Sequence, residues 1–142
     1  TLCSLKDLPH KYFIDKKAEK EQAQGIFNRL RVRAPSLETL IVNLSGGNQQ
    51  KVVLGKSLLA KPQFLLIDEP TKGIDVGAKT EIYKLMNELV ESGVSIIMVS
   101  SDMPELVSMS DRCIVLSNSH ITGEFTGSDI TQDNVMRAAI AQ

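Results

Sequence analysis

The 142-residue chain has little that would direct it to a membrane or to nucleic acid. Its longest apolar runs, residues 64–67 and 96–99, are far too short to cross a bilayer, and no apolar signal region is seen near residue 1. The net charge is −1, and the lysines and arginines form no stripe that would attract a phosphate backbone. These absences predict a soluble protein that binds no nucleic acid and reaches any membrane through partners.

Cysteine is also scarce. Only Cys3 and Cys113 occur, and their wide separation lacks the spacing of metal-binding cysteine pairs. A reduced, cytosolic compartment therefore fits the composition best. With 42% hydrophobic residues, a chain of this length can still bury a core, so we expect one globular domain.

Hydrophobic periodicity predicts alternating helices and strands. The predicted helices cover residues 16–33, 48–60, 78–92 and 132–141, the last capped by Thr131, and a further helix starts at 102–105. The predicted strands cover residues 64–67, 95–99, 113–116 and 120–125, the last as part of a hairpin. Strands separated by helices predict an α/β fold with a parallel sheet flanked by helices, in which the first strand is covered on both faces.

The predicted strand at 64–67 stops at an acidic pair, Asp68 and Glu69. Ligands of α/β proteins bind beyond the carboxyl ends of such strands. There, Asp68 could hold Mg²⁺ and Glu69 could accept a proton from an attacking water. The alternative is a buried strand that simply ends in two solvent-facing acids, and this stretch alone does not separate the two interpretations.

A second candidate site is Ser45-Gly46-Gly47, immediately before the helix predicted at 48–60. Glycines leave backbone N–H groups accessible, the serine adds a donor, and the helix dipole favours an anion. The tripeptide therefore predicts a phosphate cradle. The alternative is an ordinary serine N-cap followed by two loop glycines.

The two candidate sites together resemble a known family. LSGGNQQK at residues 44–51, then a helix, then FLLIDEPT at 64–71, resembles the signature motif and the Walker B strand of ATP-binding-cassette (ABC) ATPases. Residues 72–75 resemble the D-loop, and residues 95–102 resemble the strand that leads into the switch loop. The resemblance implies a partial P-loop NTPase fold, with part of the helical subdomain in residues 1–60 and the C-terminal part of the α/β core in 61–142.

Three further stretches narrow the resemblance. NQQK at 48–51, GIDVGAK at 73–79 and SSDMPE at 100–105 resemble the second cassette of tandem ATPases that energise import of ribose, xylose, galactose and similar monosaccharides. This implies ATP and Mg²⁺ as cofactors. The implied partners are the first nucleotide-binding domain of the same tandem chain, membrane permease subunits and, indirectly, a periplasmic or extracellular sugar-binding protein. The implied location is cytoplasmic, peripheral on the inner face of the cell membrane.

The resemblance also implies residue roles, because in this family two cassettes close head to tail around two ATP molecules. The resemblance assigns nucleotide binding to five residues: Ser45, Gly46, Gly47, Asn48 and Asp75. Among these, the signature residues would contact the γ-phosphate held by the other cassette, and Asp75 would couple the two sites. At the other ATP, Asp68 would position Mg²⁺, and Glu69 and Ser101 would be the catalytic residues.

The sequence lacks one motif of the family. No Gly-x-x-x-x-Gly-Lys-Ser/Thr phosphate-binding loop (Walker A) occurs in it. The chain is therefore expected to be a fragment of a cassette, inactive as an ATPase on its own. In the family the strand that feeds this loop lies in the same sheet as residues 64–68, so we expect an incomplete sheet and self-association of the fragment.

A second departure is Ser101, which stands where most cassettes have a histidine. A serine can donate a hydrogen bond but carries no positive charge near neutral pH. Two alternatives therefore stay open beside a hydrolysing sugar importer. The chain could come from a non-transport ABC ATPase that acts on nucleic acid or ribosomes, or from a non-hydrolysing regulatory half.

Overall fold

The computed structural model describes residues 9–10 and 13–140. Its helices are α1 Lys16–Arg29, α2 Gly46–Leu58, α3 Val76–Glu91, α4 Met103–Met109 and α5 Gln132–Ile140. Its strands are β1 Pro9–His10, β2 Phe13–Ile14, β3 Phe64–Asp68, β4 Ser95–Val99, β5 Arg112–Ser117 and β6 His120–Thr126. Short 3₁₀ turns cover Ile41–Asn43 and Gly127–Asp129. By contact density the chain divides into two compact units, one up to Met98 and one from Val99.

Helix α1 is shorter than the predicted helix over residues 16–33. Its N-cap is Asp15, whose carboxylate accepts hydrogen bonds from the backbone N–H groups of Lys17 and Ala18 at 2.9 and 3.1 Å. It ends at Arg29, because Arg31 adopts a left-handed backbone with φ of 51°. The sequence prediction, which continued the helix to Arg33 and broke it at Pro35, therefore ended it too late.

The first unit contains a strand–helix–strand motif. Strands β3 and β4 lie side by side in a parallel pair, and the Ser95 N–H donates to the Gln63 carbonyl at 2.9 Å. Helix α3 connects them; Asp75 caps its start, and Gly93 with φ of 93° follows its end. The buried core of this unit joins β3 and α3 to α1 and α2 through Leu30, Leu54, Leu58, Leu65, Leu85 and Leu89, and the half-buried Ile96 of β4 packs against it.

The sheet differs from the prediction in its burial. Strand β3 was expected to be covered on both faces, but only Leu65 is buried, while Phe64 and Leu66 are 67% and 77% exposed. On β4, Ile97 and Val99 are 55% and 60% exposed. Among the described residues, helices therefore cover one face of this strand pair, and the apolar side chains of the other face meet solvent.

The second unit is a hairpin with two helices. The third predicted strand does not extend the parallel sheet: β5 pairs antiparallel with β6, with Ser117 opposite His120. The two residues between them, Asn118 and Ser119, both have positive φ, which matches a type I′ hairpin turn. The core of this unit consists of Cys113, Val115, Ile130, Val135 and Ala138.

The helix starts predicted at 102–105 and after Thr131 are confirmed. The Asp102 carboxylate accepts a hydrogen bond from the Glu105 N–H at 3.2 Å at the start of α4. The Thr131 hydroxyl accepts one from the Asn134 N–H at 3.3 Å at the start of α5. The division of the chain at residue 60 into a helical subdomain and an α/β core stays a prediction.

Candidate functional site

The phosphate cradle predicted from the sequence is the first turn of helix α2. Ser45 occupies the N-cap position with extended backbone dihedrals, but its side chain makes no capping hydrogen bond. The first intrahelical bond runs from the Gln49 N–H to the Ser45 carbonyl at 2.9 Å. The N–H groups of Gly46, Gly47 and Asn48 precede this bond, so they are the donors that a helix N-terminus offers to an anion.

Asn48 organises this turn through its side-chain amide. Its Nδ2 donates to the Ser45 hydroxyl oxygen at 2.9 Å, and its Oδ1 accepts from the Arg33 backbone N–H at 2.8 Å. Because the amide engages the Ser45 oxygen as an acceptor, the hydroxyl proton is the part of Ser45 that remains for a ligand. Asn48 thus connects the linker after α1 to the first turn of α2, residues 45–48, which is called the signature turn below.

A close approach of two helices sets the position of this turn. A Cβ atom added to Gly47 would lie 2.6 Å from the Cβ of Ala78 in the first turn of α3. Real carbon atoms do not approach so closely, so only glycine allows the start of α2 to pack on the start of α3. The contact brings the signature turn next to Asp75, whose Oδ1 accepts from the Ala78 N–H at 2.9 Å.

These contacts enclose a cavity of about 250 Å³. Its walls combine the linker after α1 with the starts of α2 and α3, through Arg33, Ser45, Gly47, Asn48, Asp75, Gly77, Ala78 and Glu81. Four of the five residues predicted to bind nucleotide therefore line one cavity. The fifth, Gly46, is adjacent and exposed, and an added Cβ there would meet the Gly73 carbonyl only at 3.7 Å.

The acidic pair lies at the end of strand β3. Asp68 is the last residue of the strand and is exposed, whereas Glu69 is half-buried and has a left-handed backbone with φ of 48°. For a residue with a Cβ this conformation costs about 1–3 kcal/mol, and such residues cluster at functional sites. Glu69 begins a turn in which its carbonyl accepts from the Lys72 N–H at 3.3 Å. The two carboxylates therefore leave the strand in different local environments.

Ser101 belongs to the second unit and is exposed in the loop before α4. Hydrogen bonds hold the residues on either side of it. The Ser100 hydroxyl donates a hydrogen bond to the Glu105 carboxylate, which is 1% exposed, and accepts one from the Asp102 N–H at 3.0 Å. The loop that carries Ser101 is thus tied to a buried carboxylate at the start of α4.

Comparisons with known proteins agree with these motifs. Residues 4–72 match the ABC transporter family. Over 98% of its length the chain is 51% identical to the xylose import ATP-binding protein XylG of Geobacillus kaustophilus, and over 99% it is 48% identical to the ribose import ATP-binding protein RbsA of Clostridium perfringens. The chain spans about 28% of the length of either relative.

The fold also agrees. A nucleotide-free ATP-binding cassette from an ABC transporter superposes with a TM-score of 0.78 at 23% identity, over 94% of this chain and 55% of that chain. The chain belongs to the ABC transporter ATPase family.

Sequence reasoning gave no role to three charged residues: Arg33 and Glu81, which line the cassette's cavity, and Lys51, which contacts Glu81. Lys51 lies in the first half of α2 and is 3% exposed; its ammonium contacts Glu81 Oε2 at 2.7 Å and the Arg31 carbonyl at 3.2 Å. The Arg33 guanidinium lies 3.4 Å from Glu81 Oε1. The hydrogen bond and charge of Lys51, with smaller contributions from Arg33 and Arg31, hold the pKa of the Glu81 carboxyl below its ordinary value.

A metal site in this cassette would rest on few protein ligands. Within residues 9–10 and 13–140 no group of three or more His, Cys, Asp or Glu side chains could hold a metal ion. Mg²⁺ in nucleotide sites is held by one or two carboxylates together with phosphates and water, so the exposed carboxylate of Asp68 fits that donor set. None of the helices described in the cassette combines the length and apolarity that a bilayer crossing needs.

Proposed function

We propose that this chain supplies the signature motif, Walker B strand, D-loop and switch loop to an ATPase subunit that powers import of a monosaccharide. The observation that carries the proposal is the cavity in which Ser45, Gly47 and Asn48 meet Asp75. Two motifs to which the proposal assigns nucleotide binding line this cavity, although they lie about 30 residues apart in sequence. The names of the xylose and ribose relatives support a sugar as the cargo.

At the signature end, the chain would complete an ATP site whose phosphate loop lies on the other cassette. The N–H groups at the start of α2 and the Ser45 hydroxyl would donate hydrogen bonds to the γ-phosphate. These donors are held in place before the ligand arrives, so little reorganisation accompanies the reaction. Asp75, fixed at the start of α3, would link this site to the second ATP.

At the strand end, the chain would take part in the second ATP site. Asp68 would hold Mg²⁺, which supplies positive charge to the phosphates when bound. Glu69 would orient and polarise the attacking water, and Ser101 would donate one hydrogen bond in place of a histidine. Closure and reopening of the paired cassettes would then move the permease subunits between inward-facing and outward-facing states.

The proposal also assigns partners and a location. The partners are the first nucleotide-binding domain of the same tandem chain, the permease subunits and, indirectly, a sugar-binding protein outside the cell. Because its substrate ATP is cytoplasmic, the chain would work at the inner face of the membrane. The permease and the binding protein would select the sugar.

A non-hydrolysing regulatory half is the second candidate, and Ser101 is the observation that favours it. In that case this chain would complete the partner's ATP site through its signature turn but would not turn over ATP at its own Walker B strand. The two candidates differ in whether Glu69 contributes to turnover.

The test is uptake of labelled xylose, ribose and galactose by the full-length protein that carries this chain, reconstituted with its permease and binding protein. We expect ATP-dependent uptake, and we expect Ser45→Ala to lower it because one phosphate donor is lost. Ser57→Ala, on the same helix with its hydroxyl on the Val53 carbonyl, is the control. Absence of uptake of all three sugars, or ATPase activity stimulated by nucleic acid instead, would overturn the proposal.

A further inference from the structure

Lys51 is a charged side chain in an unusual place. Lysine is almost never fully buried unless it is paired, since removing an ammonium from water costs several kcal/mol. Here the side chain is 4% exposed, and two of its three donors are used, by Glu81 Oε2 and by the Arg31 carbonyl. The contact joins α2 to α3 and also holds the left-handed turn that ends α1.

Lys51 and Glu81 lie at equal distances in sequence from the two loops that carry the proposed nucleotide residues. Lys51 lies six residues after Ser45, and Glu81 lies six residues after Asp75. At 1.5 Å per residue, each partner is about 9 Å along its helix from the loop that carries a nucleotide residue. The contact between Gly47 and Ala78 is the first point at which α2 meets α3, and the ion pair is the second. Two separated points fix how one helix crosses the other.

A second connection runs from the same carboxylate to the signature turn. Glu81 Oε1 lies 3.4 Å from the Arg33 guanidinium, and the Arg33 backbone N–H donates to Asn48. Asn48 in turn donates to the Ser45 hydroxyl. Glu81 therefore contacts the signature helix through Lys51 and approaches the signature turn through Arg33.

We propose that Lys51 and Glu81 are positioning residues that hold the signature turn and Asp75 at the spacing a shared ATP requires. Neither side chain needs to touch nucleotide for this role. An ion pair suits it because charge pairing with hydrogen bonds selects one register of the two helices, whereas apolar side chains tolerate sliding. The inference rests on the proposed function only in that ATP is the ligand of the cavity.

The experiment measures steady-state ATPase kinetics of the full-length protein with its permease. Lys51→Met keeps an unbranched side chain that is one atom shorter and removes its charge. We expect kcat to fall about tenfold to a hundredfold with KM for MgATP little changed, because the signature turn contacts ATP only after the cassettes close. Lys51→Arg should recover most of kcat. Lys56→Met, an exposed lysine on the same helix, is the matched control.

Two further variants separate positioning from loss of stability. Leu54→Ala opens a cavity in the same helix outside the ion pair and should lower the unfolding midpoint without the selective fall in kcat. Glu81→Gln, at a side chain that is 45% exposed, tests the pair from its other end if Lys51→Met does not fold. Lys51→Met or Glu81→Gln with kcat within twofold of wild type, or a fall in kcat matched by Leu54→Ala, would overturn the inference. ATPase activity without sugar uptake would instead count against the proposed function alone.

Discussion

The two ends of the nucleotide machinery in the first unit differ in how completely this chain builds them. At the signature end, three segments enclose a cavity, and Lys51 is buried behind it. At the strand end, Asp68 is exposed, and Phe64 and Leu66 on the same strand are mostly exposed. The proposed phosphate cradle is thus built from three segments of this chain alone, whereas the carboxylates lie at the edge of a strand pair with one open face.

The difference follows from how each kind of site is made. A helix N-terminus carries its own donors and dipole, so one turn and its immediate neighbours suffice. Carboxylates at the end of a strand act together with whatever lies beside that strand at the same edge of the sheet. The signature end should therefore respond to local substitutions, and the strand end to what covers the sheet.

The largest expected effect comes from placing a negative charge in the cradle. Gly46→Asp in the full-length protein should reduce sugar uptake about a hundredfold to a thousandfold, because a carboxylate would occupy the phosphate position. An added Cβ at Gly46 has room, so Gly46→Ala is the control for folding. We expect Glu69→Gln to reduce uptake less, since a serine at position 101 would already weaken the second site.

One result would reverse the expected order of effects of Gly46→Asp and Glu69→Gln. If Glu69→Gln abolishes uptake while Gly46→Asp is tolerated, the site built from this chain's own strand dominates turnover. Ser101 would then be a harmless replacement for histidine, and the regulatory candidate would be wrong.

A smaller effect is expected where α2 packs on α3. Gly47→Ala should destabilise the 142-residue chain by about 1–3 kcal/mol, because its Cβ would lie 2.6 Å from that of Ala78. Urea unfolding followed by circular dichroism measures the change. Gly25→Ala is the matched control: nothing lies within 4 Å of its added Cβ on α1, and alanine favours a helix by up to about 1 kcal/mol. Equal stability of Gly47→Ala and wild type would contradict the close approach.

The smallest expected effect concerns the open face of the strand pair. We expect the 142-residue chain to self-associate, and Leu66→Lys to weaken the association at least about tenfold, which corresponds to about 1.4 kcal/mol. Sedimentation or light scattering over a concentration series measures it. Leu40→Lys, at a leucine that is also mostly exposed and lies outside the strands, is the control. A monodisperse monomer at high concentration for the wild-type chain would refute this prediction.

Much of the local structure was predictable from the sequence. Strand β4 coincides with the predicted range, and Asp102 and Thr131 cap the helices they were expected to start. Apolar spacing and capping act within a few residues, so a pattern in the sequence identifies them directly. The signature turn and the acidic strand end were recognised because the two stretches together resemble motifs of one family.

The sequence by itself indicated the family, the order of helices and strands from α1 to α5, and the candidate residues of the nucleotide motifs. Only the tertiary structure decided that Lys51 is buried against Glu81, that Arg33 joins them at the cavity, and that α1 ends before Arg31. It also decided that β5, which forms the predicted hairpin with β6, does not pair with the parallel strands. Contacts between residues 30 or 48 positions apart depend on how two helices cross, and a local pattern carries no information about that crossing.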